Sequence, residues 1–261
     1  MIPEKFIEEW RSKAQWHTAS MVEQDLVISR ALICLYNNQH IKESLVFRGG
    51  TALNKLFLKP PARYSEDIDF VQRRAEPIGT TIDAIRLSLN SWLGEPKRKL
   101  TKRSAKLIYS YQTIEGSPVK LKIEINTSEH FQVLPLRYEF LVVESEWFTG
   151  SSQIVTYELE ELLATKLRAL YQRRKGRDLF DIWYVLRYQL VEIDRVIEIF
   201  QHYCRKDGIS ISKEIFQKNM EQKRQNLDFQ YDMNNLLPHE TLWNFEEAYN
   251  AILAHVISKM P

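Results

Sequence analysis

Two aspartates one residue apart, Asp67 and Asp69, are the side chains in this sequence best placed to do chemistry. They lie in Asp67-Ile-Asp-Phe-Val71, where polar and apolar residues alternate as in a strand with one buried face. Side chains two apart on a strand project to the same side, so both carboxylates face one way while Ile68 and Phe70 enter the core. At about 4 Å, two such charges repel by about 4 kcal/mol at an effective dielectric of 20, which a protein tolerates when a cation sits between them. Mg²⁺ suits the pair, being a hard ion that takes one or two carboxylates plus substrate phosphates. Taken alone, Asp-x-Asp is equally the polar face of an edge strand.

The residues upstream favour the chemical reading. Ser44-Leu-Val-Phe47 is a β-type run, Gly49-Gly50 follows, and residues 51–58 have helical spacing until Pro60-Pro61 stops them. A strand that turns through glycines into a helix presents free backbone N–H groups and a helix's positive end, where a triphosphate can rest. The Ser65 hydroxyl could also reach phosphate, or serve only a local turn. In Lys120-Leu-Lys-Ile-Glu-Ile-Asn126, Lys122, Glu124 and Asn126 share the polar face. Glu124 could complete a carboxylate triad, as general base or as ligand to a second metal, or it could simply pair with a surface lysine. Lys166 falls on the apolar stripe Leu159, Leu162, Leu163, Leu167, Leu170, so it either snorkels or points into a polar cleft where it would meet triphosphate oxygens. Asp178 and Asp181, at i and i+3, share a helix face; Asp178 could equally be the N-cap.

These residues need elements to hold them. The pattern predicts helices within residues 3–38, the second over about 22–36, then strands at 44–47, 67–71, 105–112, 118–126 and 153–157. Beyond Glu158 it predicts helices at 158–174, 178–190, 193–206, 211–224 and 240–258. The soft boundary divides the chain into residues 1–157, an α/β core with N-terminal helices, and residues 158–261, a helical domain. With 261 residues, 44% hydrophobic, the chain can bury a sizeable core. No apolar run reaches the roughly 18 residues of a membrane span, and the start lacks a signal-peptide layout, so a cytoplasmic protein without a membrane partner is expected. Cys34 and Cys204 are far apart in sequence and in no zinc-type cluster, and the six histidines share no ligand spacing. The net charge of +2 says little about partners, but Lys97, Arg98, Lys99, Lys102, Arg103 and Lys106 lie together without an acid among them, and Arg173-Arg-Lys-Gly-Arg177 is a second cluster. Each is either a phosphate-contacting surface or a solvated edge.

In combination, Phe47-Arg-Gly-Gly-Thr-Ala-Leu53, Arg63-Tyr-Ser-Glu-Asp-Ile-Asp-Phe70, Lys122-Ile-Glu-Ile125, Glu161-Leu-Leu-Ala-Thr-Lys-Leu-Arg-Ala-Leu170 and Arg177-Asp-Leu-Phe-Asp-Ile182 resemble the AbiEii/AbiGii-type nucleotidyltransferase toxins of type IV toxin–antitoxin and abortive-infection systems, which include MenT-like proteins. The resemblance spans roughly residues 44–190. It implies an α+β fold: a polymerase-β-like core, a mixed sheet flanked by helices, with a helical C-terminal part. It also implies Mg²⁺ dependence, a nucleoside triphosphate (NTP) donor and a cognate antitoxin. Gly49, Gly50, Thr51, Ser65, Asp67 and Asp69 look like the triphosphate and metal motif, Lys166 like the family's lysine, and Asp178 or Asp181 like its later acid. The gap from Gly50 to Asp67 is longer than in the wider superfamily. Relatives that add nucleotides to the 3′ end of tRNA make tRNA the expected acceptor, met by Lys97, Arg98, Lys102 and Arg103. The alternatives are a non-catalytic NTP-binding regulatory protein and a transferase acting on a protein or small molecule.

Overall fold

The structure, a computed structural model, describes residues 2–188, 191–238 and 241–261. Near the N-terminus, α1 (Glu4–Arg11) turns Ile7 and Trp10 inward. Thr18 then caps α2 (Ala19–Tyr36), its side chain accepting from the backbone N–H of Met21. From Val22 to Tyr36 α2 is buried on nearly every side, more than an amphipathic stripe would be. Its buried polar residues are therefore partnered. Asp25 accepts from the indole nitrogens of Trp10 at 2.8 Å and Trp16 at 3.2 Å, and its carboxylate meets Lys55 Nζ at 2.6 Å. Asn38 caps a short helix, α3 (Gln39–Ser44).

Strand β1 (Leu45–Arg48) passes at once into α4 (Gly49–Ala52), whose last turn widens to a π-helix over Leu53–Phe57. Then come β2 (Asp67–Gln72), α5 (Gly79–Leu93), β3 (Lys97–Leu100), β4 (Ser104–Gln112), β5 (Pro118–Asn126), β6 (Arg137–Glu144) and β7 (Thr149–Thr156). The seven strands form one mixed sheet in the order β3-β4-β5-β2-β1-β7-β6. β2 runs parallel to β5 and β1 to β7, while the remaining neighbours are antiparallel. Helices α2, α3 and α5 pack against the sheet. Ile68, Phe70, Leu107, Leu121, Ile123 and Ile125 alternate into that buried face.

The chain divides into two compact units, Met1–Tyr157 and Glu158–Pro261. The second is helical throughout its described residues: α6 (Leu159–Gln172), α7 (Gly176–Tyr188), α8 (Ile193–Lys206), α9 (Lys213–Arg224), α10 (Leu227–Tyr231), α11 (Phe245–His255) and a 3₁₀ turn at Ile257–Lys259. α6 packs on α7 and α8. Phe180, Trp183 and Trp243 meet edge-on or tilted, with centroids 5.2 to 5.9 Å apart.

The fold class is the expected α+β arrangement, and the elements named from the sequence recur with shifted ends. The strand anticipated at 153–157 begins earlier, at Thr149. Residues 189–190, at the end of one expected helix, 240, at the start of another, and His239 lie outside the described residues. Elements α3, α5, β3, β6 and α10 have no counterpart in the sequence reading. In β6, Tyr138, Phe140 and Val142 are exposed while Leu141 and Val143 are buried, so both faces read as apolar and the alternation vanishes. β3 is exposed at every position and charged at all but its last, Leu100.

Candidate functional site

Within the first unit, strand pairing decides which side chains share a face. Directly opposite residues lie on the same side of a sheet, and the register sets Arg48 against Asp69, Asp69 against Glu124, and Glu124 against Lys106. One row across four strands is thus Arg48, Asp69, Glu124, Lys106. Next to it, Asp67 stands opposite Lys122. Asp67 and Asp69 share a face, as the alternation predicts, and the pairing of β2 with β5 brings Glu124 to it, with Asp67 and Glu124 each about one-third exposed (31% and 32%).

Two lysines carry the countercharge. Lys122 Nζ lies 2.6 Å from Asp67 Oδ2, and Lys106 Nζ lies 2.9 Å from Glu124 Oε2. Burial works to deprotonate Lys122, but its hydrogen bond to Asp67 and the charges of Asp69 and Glu124 prevail and raise its pKa above the ordinary lysine value. On the far side of Asp69, Arg48 reaches Glu129 Oε2 at 2.9 Å.

The Gly-Gly turn lies against these carboxylates. Gly49 has φ +83°, in the left-handed region, and a Cβ there would lie 2.7 Å from Asp69 Oδ2. Only a bare backbone fits beside that carboxylate. A Cβ on Gly50 would run into the guanidinium of Arg63, which is buried and donates through Nη1 to the Tyr64 carbonyl at 2.9 Å. Asn54 braces the same turn, donating to the Gly50 carbonyl at 2.9 Å and accepting from the backbone of Ala62 and Arg63. The long segment between Gly50 and Asp67 thus folds back as the turn's support. Thr51 Oγ1 bonds Ser65 Oγ at 2.7 Å and also donates to the Asp67 carbonyl, so these two hydroxyls tie α4 to the start of β2. Ser65 precedes the strand that begins at Asp67.

Among the described residues, no group of three or more His, Cys, Asp or Glu is gathered closely enough to hold an ion unaided. Asp67 and Asp69 nevertheless match the one or two carboxylates that Mg²⁺ takes when substrate phosphates complete its shell.

In the second unit Lys166, Asp178 and Asp181 meet. Lys166 Nζ lies 3.2 Å from Asp178 Oδ1 and 2.9 Å from Asp181 Oδ2. Both aspartates are fully buried and the lysine nearly so, at 6% exposure. The ammonium therefore neither snorkels to solvent nor stands in an open cleft. Asp178 also accepts two bonds from Arg173, at 2.7 and 2.9 Å, which makes it an ion-pair hub inside the first turn of α7 in place of an N-cap. Burial raises its carboxyl pKa, but Lys166 and Arg173 outweigh that and hold it below the usual carboxylate value.

Sequence reasoning overlooked Arg48, Arg63, Asn54, Lys106 and Arg173 as partners of the site residues. Arg48 and Arg63 stand inside the very motifs that carry the family resemblance. For Lys106 the missing signal was strand register, which alternation within one strand does not give.

A mixed sheet with paired carboxylates beside a glycine turn is the architecture of a nucleotidyltransferase, and this protein is one. It belongs to the AbiEii nucleotidyl transferase toxin family of type IV toxin–antitoxin systems, whose model matches residues 30–251. Solved structures share the fold. MenT4, a nucleotidyltransferase toxin from Mycobacterium tuberculosis H37Rv, superposes with a TM-score of 0.59 at 14% identity, over 100% of this chain and 91% of its own. JHP933 from Helicobacter pylori gives 0.57 at 15% identity, over 91% and 90% of the two chains. No curated protein matches the sequence. No helix among the described residues is long and apolar enough to cross a membrane.

Proposed function

We propose that this chain transfers a nucleotide from an NTP to the 3′ end of tRNA, with Mg²⁺ held by Asp67 and Asp69, and that it is toxic because the modified tRNA no longer serves translation. The observation that carries the reading is the abutment of Gly49 on the Asp69 carboxylate, which joins an anion cradle to a cation holder. Membership of a type IV toxin family implies a cognate antitoxin as partner, and a chain of this type is expected to work in the cytoplasm.

The reaction proposed is in-line displacement at the α-phosphorus. The acceptor 3′-oxygen forms a bond to phosphorus, the bond to the bridging oxygen breaks, and pyrophosphate leaves. Glu124 stands on the carboxylate face and would take the hydroxyl proton, once Lys106 turns from it. The free N–H groups of the Gly49-Gly50 turn would receive phosphate oxygens, while Thr51 and Ser65 keep that turn in register with β2. Bound Mg²⁺ would supply Lewis-acid stabilisation of phosphate charge. Lys166, Asp178 and Asp181, bonded to one another inside the second unit, are given no step in this reaction.

Incubating the protein with tRNA, Mg²⁺ and each of the four labelled NTPs tests the proposal. Label should join the 3′ end with at least one NTP, and the Asp69→Ala variant should fold normally and transfer none. Absence of transfer with all four, or label on a protein or small molecule instead, would overturn the tRNA reading.

A further inference from the structure

We infer that RNA approaches the carboxylates along one face of the sheet, guided by Lys97 and Lys99, and that Arg98 between them takes no part. This rests on the proposal of an RNA acceptor and adds which side chains meet its backbone.

The observation is register. β3 is an edge strand exposed along its whole length, in which Lys97 stands opposite Ile108 and Lys99 opposite Lys106. Lys106 stands in turn opposite Glu124, and Ile108 opposite Lys122. Lys97 and Lys99 therefore project from the face that carries Asp67, Asp69 and Glu124. Arg98 is opposite Leu107, which is fully buried beneath the helices, so Arg98 belongs to the other face.

Charge separates the two sets of lysines further. Lys106 and Lys122 are engaged by Glu124 and Asp67, whereas Lys97 and Lys99 form no ion pair among the described residues. Two ammonium groups two residues apart, about 6.6 Å along the strand, leave an uncompensated positive edge. It is continuous, through Lys106 and Lys122, with the carboxylate site. A polyanion gains there by releasing counterions, and the acids at the far end of the row repel its backbone unless countercharge is present, which gives the track a direction. The occupant that fits is the sugar-phosphate backbone of a single-stranded RNA end, not an acidic protein, because the row offers repeated positive charge at strand spacing and the apolar surface beside it on that face of β3 and β4 is limited to half-buried Ile108.

The test is equilibrium binding of a fluorescent single-stranded RNA ending in the tRNA acceptor sequence, from 50 to 300 mM KCl, without NTP. It compares the wild-type protein with the variants K97E, K99E, K97E/K99E and R98E, all altered at exposed edge positions. K97E and K99E should each weaken binding about fivefold or more, and the double variant should flatten the slope of log K against log salt by about 1.4, from about 0.7 per lost contact. R98E should stay within about twofold of wild type. Equal losses for R98E and K99E, or an unchanged slope for the double variant, would overturn the inference while nucleotide transfer to tRNA by the wild type still stood. Transfer that fails with every NTP although RNA binding follows this pattern would strike the proposed reaction and leave the binding face intact.

Discussion

At the scale of single residues, the buried Lys166 cluster and the bare backbone at Gly49 have the largest consequences. Lys166→Met would leave Asp181 without its ammonium inside the second unit, and breaking a buried pair in this way costs about 3–5 kcal/mol. Urea unfolding should show that loss, and K166M/D178N/D181N should recover part of it, because the stranded charges go too. Gly49→Ala forces a side chain into left-handed backbone and against Asp69; we expect about 1–3 kcal/mol of destabilisation and loss of transfer, while Ala at exposed Gly116, also at positive φ but with open space around it, should leave transfer unchanged. Lys223 gives a pH signature. It is buried, donating to the carbonyls of Leu170 and Tyr171, and burial, aided by Arg174 and opposed by Asp178, pushes its pKa down to about 8. The unfolded chain, with an ordinary lysine near 10.4, then holds more protons than the folded one between about pH 8 and 10. Stability from this group therefore rises with pH through that window and is lost as pH falls towards 8. The wild-type minus Lys223→Met difference in urea midpoint should show the rise.

At the scale of elements, one buried carboxylate is the polar hub that ties α1 to α2. Asp25 holds Trp10 of α1, Trp16 of the following loop and Lys55 of the π turn. Asp25→Ala strands the lysine and both indole donors, so residues 4–18 should become cleavable in limited proteolysis while the sheet stays protected. The same network shows why sequence patterns find helices more easily than what fixes them. β2 and β5 were legible because their outward faces are polar, and α6 because its leucines recur at helical spacing. β3 and β6 were not, one having a single apolar residue, Leu100, and the other apolar residues on both faces. α5 begins Gly79-Thr-Thr, residues that favour other conformations, and its packing against α2, α3 and β4 offsets that preference.

At the scale of the whole molecule, the outline of an α/β part followed by a helical part followed from periodicity alone, because the period of the apolar pattern changes near Glu158. The placement of Asp67 and Asp69 on one face was also readable, since both lie on their strand's polar phase, whereas Glu124 joins them only through the pairing of β2 with β5. The lysine partners were likewise not readable, being set by pairing between strands distant in sequence. Each unit buries a core of its own, so residues 158–261 expressed alone should retain a helical circular dichroism spectrum and unfold cooperatively, which thermal melts would check.

The parity of β2 and β5 has a consequence for how this enzyme can vary. A residue inserted or deleted within either strand would turn every later side chain over: near the start of β5 it would submerge Lys122 and Glu124 and put Ile123 and Ile125 in water, and within β2 it would do the same to Asp69 and Phe70. Reactive surface and oily interior are two sides of the same ribbon, so these strands can change letters but not length. Differences in length are left to the connectors, such as the exposed residues 115–117 between β4 and β5.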